Sequence, residues 1–211
     1  MSTSRGSILI TGANGGIGVG IVDELLKSSY AVTHEAIYIV RDPAKALALE
    51  AAIKNAPTDH HHQVVALDLE SLDAVRTFAA GINERVANGS LPPIQALVLN
   101  AGVQDITKKF FTKDGMERTF VVNYLVNFLL TLLLLKSIDK KCGRIVFVGS
   151  TGTKLTWAPN RSNFSSDEQR ETLITSPENM AKGIEEHPDG DAFKTGMRSY
   201  AMSKLLCMEW M

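Results

Sequence analysis

The sequence has few cysteines, almost no excess charge and no long uninterrupted apolar run. Its 211 residues include two cysteines, Cys142 and Cys207, which stand far apart and in no metal-ligand spacing. Neither a disulfide framework nor a zinc site is therefore indicated, and we expect reduced thiols. The formal net charge of −1 leaves no excess of positive charge to bind a nucleic-acid backbone or an anionic membrane. We expect neither as a partner.

Signals for export and for membrane insertion are also missing. Met1–Gly6 leads directly into a strand-like segment, without a basic region followed by an apolar one. The most apolar segment, Phe120–Leu135, is sixteen residues long and is interrupted by Asn123, Asn127 and Thr131. A membrane-spanning helix needs about 20 residues. We therefore predict a buried core helix, no membrane span and a cytoplasmic protein.

Short β-branched and aliphatic runs alternate with longer segments of helical periodicity. With 45% hydrophobic and 21% charged residues, the composition suits one globular domain. The five predicted strands are Ser7–Thr11, Ala36–Val40, Gln63–Leu67, Gln95–Leu99 and Arg144–Val148. Helical patterns lie between them at about residues 17–28, 43–55, 71–86 and 114–138. Uniformly apolar strands with helical crossovers predict an α/β fold with a doubly wound, Rossmann-type parallel sheet.

Two segments break this alternation. Ser29–Glu35 lengthens the turn between the first helix and the second strand. Thr151–Ser199 is polar, contains three prolines and has little sustained periodicity. A compact domain tolerates a loop of this length mainly where the loop has a function. We expect residues 151–199 to form a lid or substrate-side insertion, with a short helix at about 177–186.

A glycine-rich turn, Thr11-Gly-Ala-Asn-Gly-Gly-Ile-Gly18, connects the first predicted strand to the first predicted helix. Glycine adopts backbone conformations that other residues avoid, and the N-terminus of a helix offers N–H groups to a phosphate. A preceding strand and a following helix are the context that a dinucleotide-binding turn requires. The pattern therefore predicts a site for the pyrophosphate of a dinucleotide.

Tyr200 and Lys204 are four positions apart, which places them on one face of a helix. Hydride transfer to a carbonyl creates an alkoxide that needs a proton donor. A phenol beside an ammonium supplies one, because the positive charge favours the phenolate and lowers the tyrosine pKa. This spacing is common by chance, but here it follows five strand–helix units. We therefore interpret the pair as catalytic.

The glycine turn resembles the T-G-x-x-x-G-x-G motif of the short-chain dehydrogenase/reductase family, and the whole chain resembles fungal members of its retinol-dehydrogenase-like branch. The resemblance implies cofactor contacts from the turn, at Gly12, Asn14, Gly16, Ile17 and Gly18. Because Gly15 is also present, the turn equally fits the G-x-x-G-x-x-G spacing of the epimerase and dehydratase branch. Asn100, Ala101 and Gly102 match the family's N-A-G element, which borders the cofactor and favours the single-domain reductases.

The resemblance also bears on which nicotinamide is bound. Val40 stands where NAD-selective relatives have Asp, and Arg41 stands where NADP-selective relatives have Arg. A guanidinium at this strand end pairs with the 2′-phosphate of NADP. We expect NADP(H) rather than NAD(H), although an Arg41 that is solvated and paired with Asp42 stays open. Asp68 is similar to the family residue that contacts the adenine.

Catalytic roles come from the resemblance too. It implies Tyr200 as the general acid/base, with Lys204 lowering the Tyr200 pKa and holding the nicotinamide ribose. It implies Ser150, or less favourably Thr151, as the hydrogen-bond donor to the substrate oxygen. Asn123 is similar to the family's fourth catalytic position, which ties a water into the proton relay. A satisfied core asparagine stays open as the alternative.

Two departures from the family pattern are apparent. Ser150 and Tyr200 are fifty positions apart, much farther than in typical relatives, so the segment between them must loop out. Relatives usually continue past the Lys204 helix with further strands and substrate-loop helices. We therefore expect residues 1–211 to form a single NAD(P)-binding Rossmann domain that is incomplete at its C-terminus.

The first hypothesis is an NADP(H)-dependent carbonyl reductase or alcohol dehydrogenase for a small to medium lipophilic substrate, in secondary metabolism by analogy with fungal relatives. The second is a catalytically inactive or truncated nucleotide-binding protein, whose fifth strand would be an exposed edge.

No metal is expected, because His60–His62 are typical of a solvated loop. Met202, Met208 and Trp210 indicate helix packing, and since relatives often dimerise through this helix, we expect a homodimer.

Overall fold

Five parallel strands form one sheet. The computed structural model describes residues 6–154, 160, 164, 176–184, 187 and 190–209. The strands are β1 (Gly6–Thr11), β2 (His34–Val40), β3 (His62–Ala66), β4 (Ile94–Leu99) and β5 (Arg144–Phe147). Their order is β3-β2-β1-β4-β5, and every pairing is parallel. The predicted doubly wound sheet is confirmed. β2 and β3 are added on one side of β1, and β4 and β5 are added on the other side. Ligands of such sheets bind at this switch point between β1 and β4.

Helices lie between these strands and after β5. They are α1 (Gly16–Lys27), α2 (Tyr30–Thr33), α3 (Leu47–Ile53), α4 (Leu72–Ala87), α5 (Arg118–Ser137), α6 (Pro177–Ala181) and α7 (Ala192–Glu209). Side-chain caps set several of the starts. The Ser71 hydroxyl accepts from the Ala74 N–H at the start of α4, and the Ser176 hydroxyl accepts from two N–H groups at the start of α6.

Three predicted boundaries were wrong. Ser29–Glu35 is not simply a longer turn, because it contains α2 and the first residues of β2. The pattern at 43–55 divides into a 3₁₀ turn, Pro43–Lys45, and α3. The helix predicted from residue 114 begins at Arg118, because the Glu117 carboxylate caps it by accepting from the Phe120 N–H at 2.6 Å.

The chain packs as two compact units. The first combines the chain up to Ala101 with Leu129–Val148, and it contains the whole sheet. The second combines Gly102–Phe128 with the described residues from Gly149 onward. The last residues of the expected 151–199 insertion are helical, since α7 begins at Ala192. Most of residues 155–175 lie outside the described residues, so the lid stays a prediction, as does the single incomplete domain.

The core of the first unit lies between the sheet and its helices. Apolar side chains of α1 and α3 pack against the strands through Val22, Leu26 and Leu49, which meet Ile10 and Tyr38. Each large side chain buried in this way stabilises the fold by roughly 1.5–3 kcal/mol. This layer fixes the strand ends from which the glycine turn and the β2 loop project.

His60 corrects the expectation of a solvated histidine loop. It is 8% exposed, and its Nδ1 lies 2.7 Å from the carbonyl oxygen of Ala31. Since a carbonyl only accepts, Nδ1 carries the proton and Nε2 accepts from the Tyr38 hydroxyl at 3.0 Å. Among the described residues, no group of three or more His, Cys, Asp or Glu could hold a metal ion.

The apolar helix α5 is longer than the sequence suggested. It has 20 residues, and the mean hydropathy of its most apolar 18-residue stretch is 1.7. The prediction that this segment is too short to span a membrane, made from the sixteen residues Phe120–Leu135, was therefore wrong. However, 56% of that stretch is buried inside the protein, as in the core helix of a globular domain. The cytoplasmic location stays a prediction.

Candidate active site

In the first unit, the glycine turn follows β1. Gly12 has a φ of +65°, in the left-handed region that favours glycine. A Cβ on Gly12 would lie 2.8 Å from the Cα of Ala101, and one on Gly18 would collide with the Gly12 carbonyl oxygen. The tight packing of the turn therefore requires both glycines. A Cβ on Gly16 would meet nothing within 4 Å, so Gly16 borders open space.

That open space lies at the N-terminus of α1. Gly15 is the N-cap residue and has an extended conformation, and no side chain caps the helix. The first turn contains no acidic residue. Uncapped N–H groups at the positive end of a twelve-residue helix suit a phosphate. Ile17 is an apolar residue that is 64% exposed at this end of the helix, where a bound dinucleotide would cover it. The turn thus fits a dinucleotide.

Asn100 ties the end of β4 to the glycine turn. Its Nδ2 donates to the carbonyl oxygens of Thr11, at 3.0 Å, and Gly12, at 3.1 Å. In return, the Thr11 hydroxyl oxygen accepts from the backbone N–H groups of Asn100 and Ala101, each at 3.0 Å. Asn100 and Ala101 therefore hold the shape of the turn.

A cavity of about 420 Å³ opens beside the turn. Its lining residues are Gly12, Asn14, Gly15, Val40, Arg41, Asp42 and Lys45. The Arg41 guanidinium lies 3.7 Å from the Glu70 carboxylate, and its side chain is 64% exposed. Asp42 pairs with Lys45 instead, at 3.2 Å, and also accepts from the Ala44 N–H. The alternative that Arg41 pairs with Asp42 is therefore not what the structure shows.

Lys45 is a cavity residue that the sequence interpretation missed. It belongs to the 3₁₀ turn Pro43–Lys45, which carries its ammonium back toward the end of β2. Its position three residues after Asp42 was the available signal, because one turn of helix brings such residues together. The cavity therefore holds two cationic side chains, Arg41 and Lys45, against the single carboxylate of Asp42.

Two other predicted cofactor residues have local structural partners. The Asn14 side-chain oxygen accepts from the Leu49 N–H at 3.0 Å and so caps α3, while Asn14 itself lines the cavity. Asp68 is exposed, and its carboxylate accepts from the Glu70 N–H at 2.9 Å. It is not among the lining residues of the cavity, so its adenine contact stays a prediction.

In the second unit, Ser150 and Tyr200 meet at Gly152. The point where a Cβ on Gly152 would lie is 3.2 Å from Ser150 Oγ and 3.6 Å from Cε1 of the Tyr200 ring. Ser150 Oγ accepts from the Gly152 N–H at 3.1 Å, an interaction that does not use the hydroxyl proton. The fold therefore brings together two side chains that are fifty positions apart in the sequence.

Asn160 holds the turn that carries Ser150. It is 4% exposed, and its Nδ2 donates to the carbonyl oxygens of Thr151 and Lys154, each at 2.9 Å. The Thr153 hydroxyl donates to the Ser150 carbonyl oxygen at 2.7 Å. These contacts fix the 3₁₀ turn Thr151–Thr153, for which Ser150 is the N-cap.

Lys204 lies one turn beyond Tyr200 on α7 and is 3% exposed. Burial lowers the pKa of the Lys204 ammonium, because water no longer stabilises the charge. The point where a Cβ on Gly102 would lie is 3.3 Å from Lys204 Nζ and 3.2 Å from Asn123 Oδ1. The absence of a side chain at Gly102 therefore leaves room for both the ammonium and the amide.

Asn123 links three elements of the second unit. It is fully buried, and its Oδ1 accepts from the Val103 N–H at 2.8 Å. Its Nδ2 donates to the Val103 carbonyl oxygen at 2.9 Å and to the Ser203 hydroxyl at 3.0 Å. Ser203 in turn donates to the Tyr200 carbonyl oxygen at 2.7 Å. The side chain is thus a satisfied core asparagine, and its role in a water relay stays a prediction.

Comparison with known proteins identifies the family. Residues 7–166 match the family model of the short chain dehydrogenases. The chain belongs to the short-chain dehydrogenase/reductase family. The chain is 40% identical to the short-chain dehydrogenase iccH of Talaromyces variabilis over 95% of its own length. It is 36% identical to human retinol dehydrogenase 13 over 68% of its length.

The solved structures agree with the fold. The chain superposes on a metagenomic short-chain oxidoreductase in complex with NADP with a TM-score of 0.56, at 21% identity. The match covers 99% of this chain and 76% of that one. The chain spans 61% of the length of the fungal relative and 41% of that of the human relative. The family assignment confirms the resemblance that the sequence motifs indicate.

Proposed function

We propose that this chain is an NADP(H)-dependent oxidoreductase that interconverts a ketone or aldehyde and the corresponding alcohol. One observation carries the proposal. The second unit brings the Ser150 hydroxyl next to the Tyr200 ring and buries Lys204 one turn along the same helix. A phenol, a hydroxyl and an ammonium in this arrangement suit proton transfer to a carbonyl oxygen.

The role of each side chain follows from its chemistry. The Tyr200 hydroxyl donates its proton to the oxygen that becomes the alcohol, and it accepts that proton in the reverse direction. The Ser150 hydroxyl donates a hydrogen bond to the same oxygen. The Lys204 ammonium lies one turn beyond Tyr200 on the same helix, and it would hold the nicotinamide ribose. When bound, the nicotinamide supplies or accepts the hydride at the carbonyl carbon.

The charge of the cavity supports NADP(H) over NAD(H). Its lining has one apolar side chain, Val40, where a ribose-binding carboxylate would stand in an NAD-selective site. The lining carries two cationic side chains, Arg41 and Lys45, which pair with the carboxylates of Glu70 and Asp42. A 2′-phosphate at the end of β2 would accept charge-assisted hydrogen bonds from these two side chains. The metagenomic relative in complex with NADP has the same fold.

Substrate and partners follow the sequence hypotheses. We propose a small to medium lipophilic carbonyl compound or alcohol, a homodimer, and a role in secondary metabolism like that inferred from the resemblance to fungal members. Because this chain spans 61% of its fungal relative, these statements concern the whole protein.

A binding titration and a turnover assay test the function together. The 211-residue chain is titrated with NADPH and NADH by nicotinamide fluorescence, and NADPH absorbance is then followed with a panel of ketones and aldehydes. We expect tighter binding of NADPH and formation of one alcohol per NADPH consumed. Binding without turnover of any carbonyl would contradict the enzyme proposal and favour an inactive nucleotide-binding protein. Tighter binding of NADH would contradict the cofactor assignment.

A further inference from the structure

The backbone carbonyl oxygen of Asn123 is held by two side chains of the second unit. Asn127 Nδ2 donates to it at 2.7 Å, and the Cys207 thiol donates to it at 3.0 Å. Asn123, Asn127 and Cys207 are each fully buried. Both donors reach the same oxygen, so the two side chains hold one point of the α5 backbone. We term the pair Asn127 and Cys207 the carbonyl clamp.

The carbonyl clamp acts on an irregular part of α5. Val121–Leu125 forms a π turn, in which the Val126 N–H donates to the Val121 carbonyl oxygen five residues back. Segments of α-helix lie on both sides of this turn, at Arg118–Phe120 and Val126–Leu134. π turns inside α-helices are rare and are frequent at functional sites. The carbonyl clamp adds side-chain hydrogen bonds to the backbone of this turn.

The clamp reaches the candidate active site through Asn123. The side chain of Asn123 forms hydrogen bonds with Val103 and Ser203, and its Oδ1 and Lys204 Nζ both lie close to Gly102. Cys207 follows Lys204 by three residues on α7, so its bond to the Asn123 carbonyl fixes α7 against α5 beside the ammonium. A shift of the Asn123 backbone would therefore move both the amide and Lys204.

We propose that Asn127 and Cys207 are positioning residues, which hold Asn123 and Lys204 in place for carbonyl reduction without touching the substrate. This inference rests on the proposed function. The thiol is needed as a hydrogen-bond donor and not as a nucleophile, because it is fully buried and directed at a carbonyl oxygen. Serine also donates, whereas alanine and valine do not.

Four variants of the full chain test this. Cys207→Ala and Cys207→Val remove the donor, Cys207→Ser keeps it, and Cys142→Ala removes the other thiol, which is exposed. We expect the Ala and Val variants to lose ~10-fold or more in kcat, the scale on which a slightly misplaced catalytic group acts. Their KM and their affinity for NADPH stay near those of the wild type. Cys207→Ser restores kcat, and Cys142→Ala leaves it unchanged.

The contrast between Cys207→Val and Cys207→Ser carries the test even if Cys207→Ala does not fold. Wild-type kcat in either apolar variant, or a serine variant as slow as the apolar ones, would overturn the inference. Asn127→Leu, which removes the second donor at similar volume, is expected to lower kcat in the same way. If the Asn127→Leu protein kept the wild-type kcat, Asn127 would not be a positioning residue.

A second readout does not depend on turnover. The S–H stretching band in the infrared spectrum is compared between the wild type and each cysteine variant. We expect the band lost in Cys207→Ala or Cys207→Val to lie at lower frequency than the band lost in Cys142→Ala, because a bond to a carbonyl weakens S–H. Equal frequencies would overturn the clamp. A wild-type chain without turnover contradicts the proposed function, and the S–H band then decides the clamp by itself.

Discussion

The hydroxyl oxygen of Ser203 lies 3.0 Å from the amide nitrogen of Asn123 and accepts its hydrogen bond. Ser203 stands between Tyr200 and Lys204 on α7, and it also donates to the Tyr200 carbonyl oxygen. A single buried hydroxyl therefore connects α5 to the helix that carries the proton donor.

Loss of the Ser203 hydroxyl is expected to destabilise the protein. Ser203→Ala leaves one N–H of the buried Asn123 amide without its acceptor, which costs about 1–3 kcal/mol. Ser203→Cys keeps a weaker acceptor of similar size and is expected to fall between alanine and the wild type. Urea unfolding of the three proteins measures the order. Equal free energies of unfolding for Ser203→Ala and the wild type would show that the hydrogen bond contributes nothing.

Arg41 and Lys45 are expected to select the 2′-phosphate. A hydrogen bond to a charged group contributes about 1.5–3 kcal/mol, so Arg41→Ala should weaken NADPH binding roughly 10- to 100-fold. Lys45→Ala should also weaken NADPH binding, and the affinity for NADH should change little in both variants. Lys54→Ala is the matched control, because its ammonium is exposed and pairs with Glu50 outside the cavity. Fluorescence titration gives the affinities, and an equal loss for both cofactors in Arg41→Ala would refute selection.

Two glycines of α1 are expected to respond in opposite ways to alanine. A Cβ on Gly18 collides with the Gly12 carbonyl oxygen, so Gly18→Ala distorts the turn and abolishes nucleotide binding. A Cβ on Gly20 meets nothing within 4 Å. Gly20→Ala should therefore stabilise the helix by about 0.5–1 kcal/mol. Thermal unfolding and NADPH titration of both variants check this, and intact binding in Gly18→Ala would contradict the packing argument.

His60 is expected to make stability depend on pH. Burial is the main cause that lowers the His60 pKa below 6.5 in the folded protein, although the Ala31 carbonyl opposes it. The unfolded chain therefore binds the proton first as pH falls. The contribution of neutral His60 to the free energy of unfolding is complete above pH 6.5, and it is lost as pH falls through the lowered pKa of the folded protein.

The comparison of His60→Gln with His61→Gln isolates this effect, because His61 is exposed. Urea unfolding between neutral and mildly acidic pH should show a shallower loss of stability in His60→Gln than in the wild type. The His61→Gln protein should follow the wild type. A pH dependence in His60→Gln as steep as that of the wild type would exclude His60 as the source.

The sheet and the glycine turn could be predicted because their signals are local. Five apolar runs and one glycine pattern depend on neighbouring residues, and each strand appears within two residues of its predicted position. Helix starts were less accurate, because caps such as Glu117 depend on single side-chain contacts. Ser203 and Cys207 were missed as partners of Asn123, since those hydrogen bonds join residues 80 and 84 positions apart. Spacing within a segment carries no signal for such pairs.

Hydride transfer with and without the Tyr200 hydroxyl is the most direct test of the proposed reaction. NADPH oxidation is followed in the wild type, in Tyr200→Phe and in Tyr30→Phe, whose ring is 55% exposed. General acid catalysis contributes roughly 10²- to 10⁴-fold, so Tyr200→Phe should lose that factor in kcat while NADPH affinity and the Tyr30→Phe rate stay near wild type. Tyr200→Phe that reduces the carbonyl as fast as Tyr30→Phe would contradict Tyr200 as the proton donor.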